Sequence, residues 1–259
     1  MESIDITTNS KYSGVEYEIR VKLAAAYRIC AYLKWDEVIY NHLTARIPGT
    51  EHILLNPFGM RFDEITASSL VKIDMDGNII DKGCTDWGIN KTAHVIHTAI
   101  HKARPDILST MHTHEVNGVA VACMKEGLIP ISQNSMLINN ITYHDYESIS
   151  VDISEQERIA KDLGPTSLNL VLRNHGLLTC GRTIEEAFYN LYVLTKACEI
   201  QVQVMSMVGG DLSKLNLPPK AIQDSVQHIA ANFNKEGFGV KEFNALYRIV
   251  EKLDRSFKL

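Results

Sequence analysis

Leu168 to Leu172 is a nearly continuous apolar run between the turn-forming residues Gly164-Pro165 and Asn174-His175-Gly176. A short run of this kind is a strand with hydrocarbon on both faces, and it needs helices above and below to cover it. The rest of the chain supplies them. From Glu16 to Leu33 the residues Ile19, Leu23, Ala26, Cys30 and Leu33 recur at spacings of four, three, four and three, which is one face of a helix. Ile89 to Ala103 repeats the pattern through Ala93, Ile96 and Ile100, and Pro105 halts it. A long helix is traced from Ile184 through Ala187, Phe188, Leu191, Leu194, Cys198, Val202 and Met205 to Gly209-Gly210.

Shorter elements fill the gaps. Val38-Ile39-Tyr40, Leu43 to Ile47 and Ile53-Leu54-Leu55 have strand character, with a turn at Asn56-Pro57-Phe58-Gly59. Leu70 to Ile80 reads as a hairpin around Asp76-Gly77-Asn78. Ile107 to His112 is a strand, Val116 to Met124 a close-packed helix ended by Gly127, and Leu177 to Cys180 extended chain. Ser154-x-x-Glu157 is a capping box that opens a helix stopped by Gly164. The tail from Asp211 carries Leu217-Pro218-Pro219 and two weaker helical stretches, an extension docked on the domain or on a neighbouring subunit. Tight turns alternate with helical crossovers, so the expected architecture is a layered α/β sandwich with a mixed sheet, formed by residues 1–259 as a single domain.

Composition narrows the function. The net charge is −5, with no basic footprint for nucleic acid or an anionic membrane surface. The five cysteines are far apart and form no CxxC pair, which argues against a disulfide framework or a structural zinc knuckle. No apolar run approaches the roughly 18 residues of a membrane span, and Met1-Glu2-Ser3-Ile4-Asp5 is unlike a signal peptide, so a cytoplasmic protein is expected.

Histidine carries the chemistry. In His112-Thr113-His114 the two imidazoles share a face if the backbone stays extended, and can meet one metal ion. His175 sits in a turn directly after a buried strand, where α/β folds keep their sites. Three neutral imidazoles leave a zinc ion with open coordination positions, the pattern of a catalytic site. The competing reading is two half-exposed histidines at a strand end and a turn histidine satisfied by backbone. On the second helix Asn90, His94, His97 and His101 fall on one stripe flanking the apolar face. His97 or His94 is a candidate proton carrier there, against the alternative of a solvated face or an interface. Glu115, next to the HxH pair, points to the opposite face and reads as structural. There is no phosphate-loop motif and no recognisable cysteine nucleophile.

The ordered set Asn41-His42-Leu43-Thr44, Leu54-Leu55-Asn56-Pro57-Phe58-Gly59, Ala103-Arg104-Pro105-Asp106, His112-Thr113-His114 and Asn174-His175-Gly176 resembles the class II aldolase/adducin family. Glu64 to Val71, Tyr143 to Glu147 and Leu172 to Leu178 are closer to its adducin-like branch, and the likeness runs from about residue 16 to about residue 208, leaving 209–259 as a helical extension. The resemblance implies a three-layer α/β/α fold, a homotetramer, and a zinc ion (or another divalent ion such as Mn2+) held by His112, His114 and His175. It implies an aldol-type reaction through a stabilised enediolate, with Tyr146 and Asn134 facing the substrate, sometimes from a neighbouring subunit. The phosphate-binding segment of the aldolases matches Asn41 to Thr44, but Asn41 and His42 replace its glycine and asparagine, which weakens the case for phosphate. The usual acid/base glutamate aligns with Ala93, and the nearest preceding acid is Asp86. The reading that follows is a zinc-dependent lyase of aldolase or decarboxylase type acting on a small carbonyl or hydroxy acid, with His97 and Tyr146 catalytic and Asn41, Thr44, Asn90 and Asn134 binding substrate. The alternative is a non-catalytic adducin-like binding or assembly module.

Overall fold

The protein is described from a computed structural model covering residues 11–138, 140–233, 237 and 239–259. Its helices are α1 (Gly14–Tyr32), α2 (Lys91–Ala103), α3 (Val116–Ala122), α4 (Gln133–Leu137), α5 (Glu155–Leu163), α6 (Ile184–Met207), α7 (Lys220–Phe233) and α8 (Val240–Leu253). Its strands are β1 (His42–Arg46), β2 (His52–Leu55), β3 (Val71–Asp74), β4 (Ile79–Asp81), β5 (Ser109–Thr113), β6 (Ile141–His144), β7 (Asn169–Leu172) and β8 (Gly176–Gly181). Among the described residues these form one sheet in the order β4-β3-β2-β1-β5-β8-β7-β6. Neighbours are antiparallel except β6 and β7, which are parallel, so the sheet is mixed as expected.

Alternation along the central strands sorts side chains into two layers. Leu43, Ala45, Met111, Val171 and Leu177 join α1, α3 and α6 in one core. Leu170, Leu172, Leu178 and Cys180 face Ile96, Ala99 and Ile100 of α2 and Ile159 and Leu163 of α5 in another. Farther out, Ile53, Leu55, Val71 and Ile73 pack with Ala93. All of β7 is buried, Val171 to one layer and its neighbours to the other, as the apolar run at Leu168 to Leu172 demands. The result is an α/β/α sandwich.

The tail packs on this body: α8 lies against α1 and α6, and α7 against α4. Backbone bonds from Ala67 to Phe257 and from Ser68 to Leu259 tie down the last residues. All five cysteines are free thiols. No described helix is long and apolar enough to cross a membrane.

Two local expectations change, and two short elements are added. Val38-Ile39-Tyr40 is a turn rather than a strand, with Val38 left-handed at φ 51° and the Tyr40 amide bonded to the Glu37 carbonyl. Ser154 makes no capping bond through its side chain; it sits in the helical region, and its amide is held by the Asp152 carboxylate. The polar residues between Ser132 and His144 conceal α4 and β6, because neither is long enough to show a period.

A β-branched residue with positive φ is strained, by about 1–2 kcal/mol. Val38 is 64% exposed and gives up little packing when replaced. Val38→Asn, a residue tolerant of that conformation, is expected to raise unfolding free energy by about 1 kcal/mol in a urea titration. A loss of stability would show the turn to be unstrained.

Candidate metal centre

β5 lies between β1 and β8, in register with His42 opposite His112 on one side and Leu178 opposite His112 on the other. His114 follows the strand end, and its amide donates to the Asn41 side-chain oxygen at 3.1 Å. His175 reaches the same place from the β7–β8 connection. Asn174 takes the left-handed conformation there, and its amide donates to the Ala122 carbonyl. Gly176 has to be glycine: a Cβ would stand 2.6 Å from the Thr113 carbonyl oxygen and within 3.2 Å of the rings of His114 and His112.

The ligating nitrogens of His112, His114 and His175 lie within 4.8 Å of one another, His112 buried and the other two half-buried. The Nε2 atoms of His112 and His114 are 2.9 Å apart, and those of His114 and His175 are 3.0 Å apart. Hydrogen bonds at the other nitrogens decide which atoms carry protons. His112 Nδ1 donates to the Leu177 carbonyl at 2.9 Å, and His114 Nδ1 donates to the Glu37 carboxylate at 2.5 Å. With Nδ1 as the donor, each neutral ring presents its Nε2 lone pair to the other. Two lone pairs at 2.9 Å repel unless a cation lies between them. Burial, and then the neighbouring imidazoles, hold His112 well below the usual histidine range and push His175 down to about 4. A proton is therefore a poor occupant at neutral pH. The donor set fits a divalent ion that takes imidazole nitrogen.

Behind the triad runs a buried column. His42 Nδ1 is 2.7 Å from His97 Nε2, and its ring lies 5.0 Å from that of His112. The Thr44 hydroxyl is 2.9 Å from His97 Nδ1, 2.9 Å from His101 Nε2 and 2.7 Å from the Thr110 hydroxyl, and His97 Nδ1 also touches Thr110. His101 Nδ1 donates to the Ile107 carbonyl at 3.3 Å. That carbonyl sets the proton order: His101 Nε2 accepts from Thr44, Thr44 accepts from Thr110, His97 Nδ1 donates to the threonines, and His42 Nδ1 donates to His97. Every contact then holds a proton, the one on His97 Nδ1 being shared between Thr44 and Thr110. The Nε2 of His42 is left as acceptor, 3.4 Å from the Thr92 hydroxyl.

A cavity of about 590 Å³ opens on His114 and His175, with Glu37, Asn90, Lys91, Thr92 and Tyr146 on its wall. The Tyr146 ring is 6.4 Å from that of His175. Asn90 caps α2, accepting from the Thr92 amide at 3.1 Å, and its amide nitrogen makes no bond among the described residues. Other sequence candidates lie off the wall. Asn41 is buried between the Trp35 carbonyl and the His114 amide. Thr44 and His97 are wholly buried in the column. Asn134 lies on α4, which packs on α6 and α7. His94 is half-buried over Gly77. Asp86 pairs with Lys82 on the surface, and Glu115 caps α3 through the Gly118 amide.

Sequence reasoning overlooked two residues. Glu37 precedes the segment read as a strand, which would have directed it elsewhere; the turn at Val38 brings it to His114. His42 shares the parity of Thr44, a signal that it faces α2 with the other histidines.

Burial, with neighbouring positive character as the smaller cause, pushes His42 and His101 down to about 3 from an ordinary value near 6.5. The unfolded chain therefore binds protons that the folded chain refuses. The stability from these neutral rings is complete above about pH 6.5 and is lost as pH falls from there toward about 3. Each ring is expected to contribute a slope of up to about 1.4 kcal/mol per pH unit within that window. Urea unfolding of metal-free protein between about pH 8 and about pH 4 measures it, and a flat profile would contradict the assignment.

The chain is similar to known proteins along most of its length. The sequence profile of the Class II Aldolase and Adducin N-terminal domain matches residues 21–202. Rat alpha-adducin is 42% identical over 250 residues, which is 93% of this chain but 34% of the relative, so the chain spans about one third of the alpha-adducins it matches. An adducin-related protein of Schizosaccharomyces pombe is 39% identical over 96% of this chain and 78% of its own length. A crystal structure of an aldolase II superfamily protein from Pseudomonas syringae has a TM-score of 0.90 at 45% identity, covering 96% of this chain and 98% of the other. An L-fuculose 1-phosphate aldolase from Glaciozyma antarctica has a TM-score of 0.80 at 27% identity over 95% of each chain. The profile match and the identity to these relatives establish that the chain belongs to the class II aldolase/adducin family.

Proposed function

We propose that the chain is a zinc-dependent carbon–carbon lyase of aldolase or decarboxylase type, acting on a small carbonyl or hydroxy-acid substrate in the cavity beside His114 and His175. The observation that carries this reading is the convergence of the Nε2 atoms of His112, His114 and His175 at 2.9 and 3.0 Å, with two of the rings held from outside at Nδ1. His112, His114 and His175 would hold the ion, zinc or alternatively manganese. Zinc bound by three imidazoles supplies a Lewis acid for a carbonyl or hydroxyl oxygen and keeps open positions for it.

The chain's own residues do the rest. The Glu37 carboxylate and the Leu177 carbonyl hold two ligand rings in the ligating tautomer. The free amide of Asn90 donates to a substrate oxygen. Tyr146, on the cavity wall, delivers a proton to the product carbon. His97 acts through His42 as a positioning residue, since it has no exposed surface. Ala93 offers no base for removing a carbon-bound proton, and it is buried with Ile53 and Val71. Decarboxylation needs no such base, because carbon dioxide departs with its bond broken and only a proton has to be supplied. We read residues 1–259 as one domain that assembles in the cytoplasm as a homotetramer.

A second reading, a non-catalytic assembly module, is supported by the 42% identity to alpha-adducin over 93% of this chain. Metal content separates the two. The lyase is expected to hold about one zinc per chain after dialysis, and His175→Ala is expected to lose it while remaining folded. Glu37→Gln is expected to weaken zinc affinity by about 10–100-fold in a chelator competition, with circular dichroism unchanged. Absence of metal-dependent turnover across a panel of β-keto and hydroxy acids would favour the assembly module.

A further inference from the structure

The wall of the cavity away from the triad is largely apolar, with Ser148 and Ser150 set between its branched side chains. Tyr40 and Phe58 pair at a ring separation of 6.4 Å, and Ile89, Tyr146, Ile149 and Val151 complete it. Ile149 and Val151 are exposed, which is unusual for two neighbouring branched side chains unless something covers them. Polar side chains at the head of β1 contribute nothing to this wall. Asn41 and Thr44 are buried and spend their hydrogen bonds inside the protein. Among the described residues of the lining Lys91 is the one lysine or arginine; it makes no ion pair or hydrogen bond there, and the Glu37 carboxylate shares the same cavity. A phosphate dianion needs two or more cations or a cradle of donors. One unpaired lysine matches a single carboxylate.

We propose that the substrate is a monocarboxylic 3-oxo acid with an apolar side chain, not a sugar phosphate: its carboxylate leaves as carbon dioxide, the electron pair passes to the 3-oxo oxygen as an enolate, and Tyr146 supplies the proton to carbon 2. The proposal rests on the lyase reading above for the oxygen end of the ligand. The 3-oxo oxygen lies at His112, His114 and His175, the carboxylate is taken by Lys91 and the Asn90 amide, and the side chain is covered by Phe58, Ile149 and Val151. A volume of about 590 Å³ accommodates an acid with a four- to six-carbon side chain without requiring a polyol.

The test uses the full chain loaded with zinc. Zinc retention is measured first, by metal analysis after gel filtration, and reports on the lyase reading alone. Binding of pyruvate, 2-oxobutanoate, 2-oxopentanoate and 2-oxohexanoate, shorter-spaced analogues with no bond that this reaction breaks, and of dihydroxyacetone phosphate is then followed by calorimetry. Each methylene that leaves water for hydrocarbon tightens binding about fourfold, so 2-oxohexanoate is expected to bind about 50-fold tighter than pyruvate. Dihydroxyacetone phosphate is expected to bind no tighter than pyruvate. Ile149→Asp and Val151→Asp change exposed positions and are expected to flatten the series with zinc content unchanged. A flat series in the unaltered protein, a preference for the phosphate, or a slope that survives both variants overturns the substrate class while the lyase reading stands. Failure to hold zinc overturns both.

Discussion

A side chain on one strand bonded to the backbone of the next is the constraint on which the site depends: His112 Nδ1 on the Leu177 carbonyl. The bond exists because β5 and β8 pair antiparallel with Thr113 opposite Leu177. It fixes the tautomer and the tilt of a fully buried ring, and so decides where the lone pair of Nε2 points. His114, one residue beyond the strand, lacks that lattice. It is held instead from outside, by Asn41 at its amide and Glu37 at its ring. One ligand is thus positioned by the sheet and the other by the turn that precedes β1. Errors in either element move one lone pair against the other.

The column behind the triad shows why so many polar groups tolerate burial. His42, Thr44, His97, His101 and Thr110 are wholly or almost wholly inaccessible, between two hydrocarbon clusters that both pack on α2. An unpartnered member would cost about 1–3 kcal/mol. Connected in one proton order, none is unpartnered. The hydroxyl of Thr44 is the junction, with three contacts from one oxygen, and an apolar residue there would strand His101 Nε2 and leave His97 Nδ1 and Thr110 only each other. The network also stiffens the attachment of α2 to β1, and α2 carries Asn90, Lys91 and Thr92 of the cavity wall.

Periodicity made most of the fold legible. The long helices and the run at Leu168 to Leu172 demanded a layered α/β body, and the order of the histidine motifs located the triad. Side-chain direction on α2 was harder to read. A stripe of Asn90, His94, His97 and His101 beside an apolar face suggests a solvated surface, but β1 presents Thr44 and His42 to it and buries two of the three rings completely. Polarity at helical spacing does not distinguish solvent from a polar partner that is distant in sequence. The turn at Val38 was illegible for a related reason: Val-Ile-Tyr is strand-forming by propensity, and a left-handed valine is set by tertiary context. With that turn misread, Glu37 could not be connected to His114, some 77 residues away.

Among the described strands one pair is parallel, and it builds one side of the cavity. β6 runs beside β7 with His144 opposite Leu172, so both strands deliver their carboxyl ends to the same edge, where α/β sheets place their binding crevices. Three residues after Leu172 comes His175; two after His144 comes Tyr146. The separation of 6.4 Å between those rings follows from the register rather than from the loop. His144 is nearly buried, 2.7 Å from Asp162 and 3.4 Å from Glu155 of α5, and Glu155 also accepts from Ser150 at 3.0 Å. The segment that carries Tyr146 and Ile149 is therefore fastened at its start by a histidine between two carboxylates and at its end by a serine on one of them. A wall so anchored can present apolar side chains to a ligand without folding inward to cover them with each other, which is why those side chains remain exposed at the mouth of the cavity.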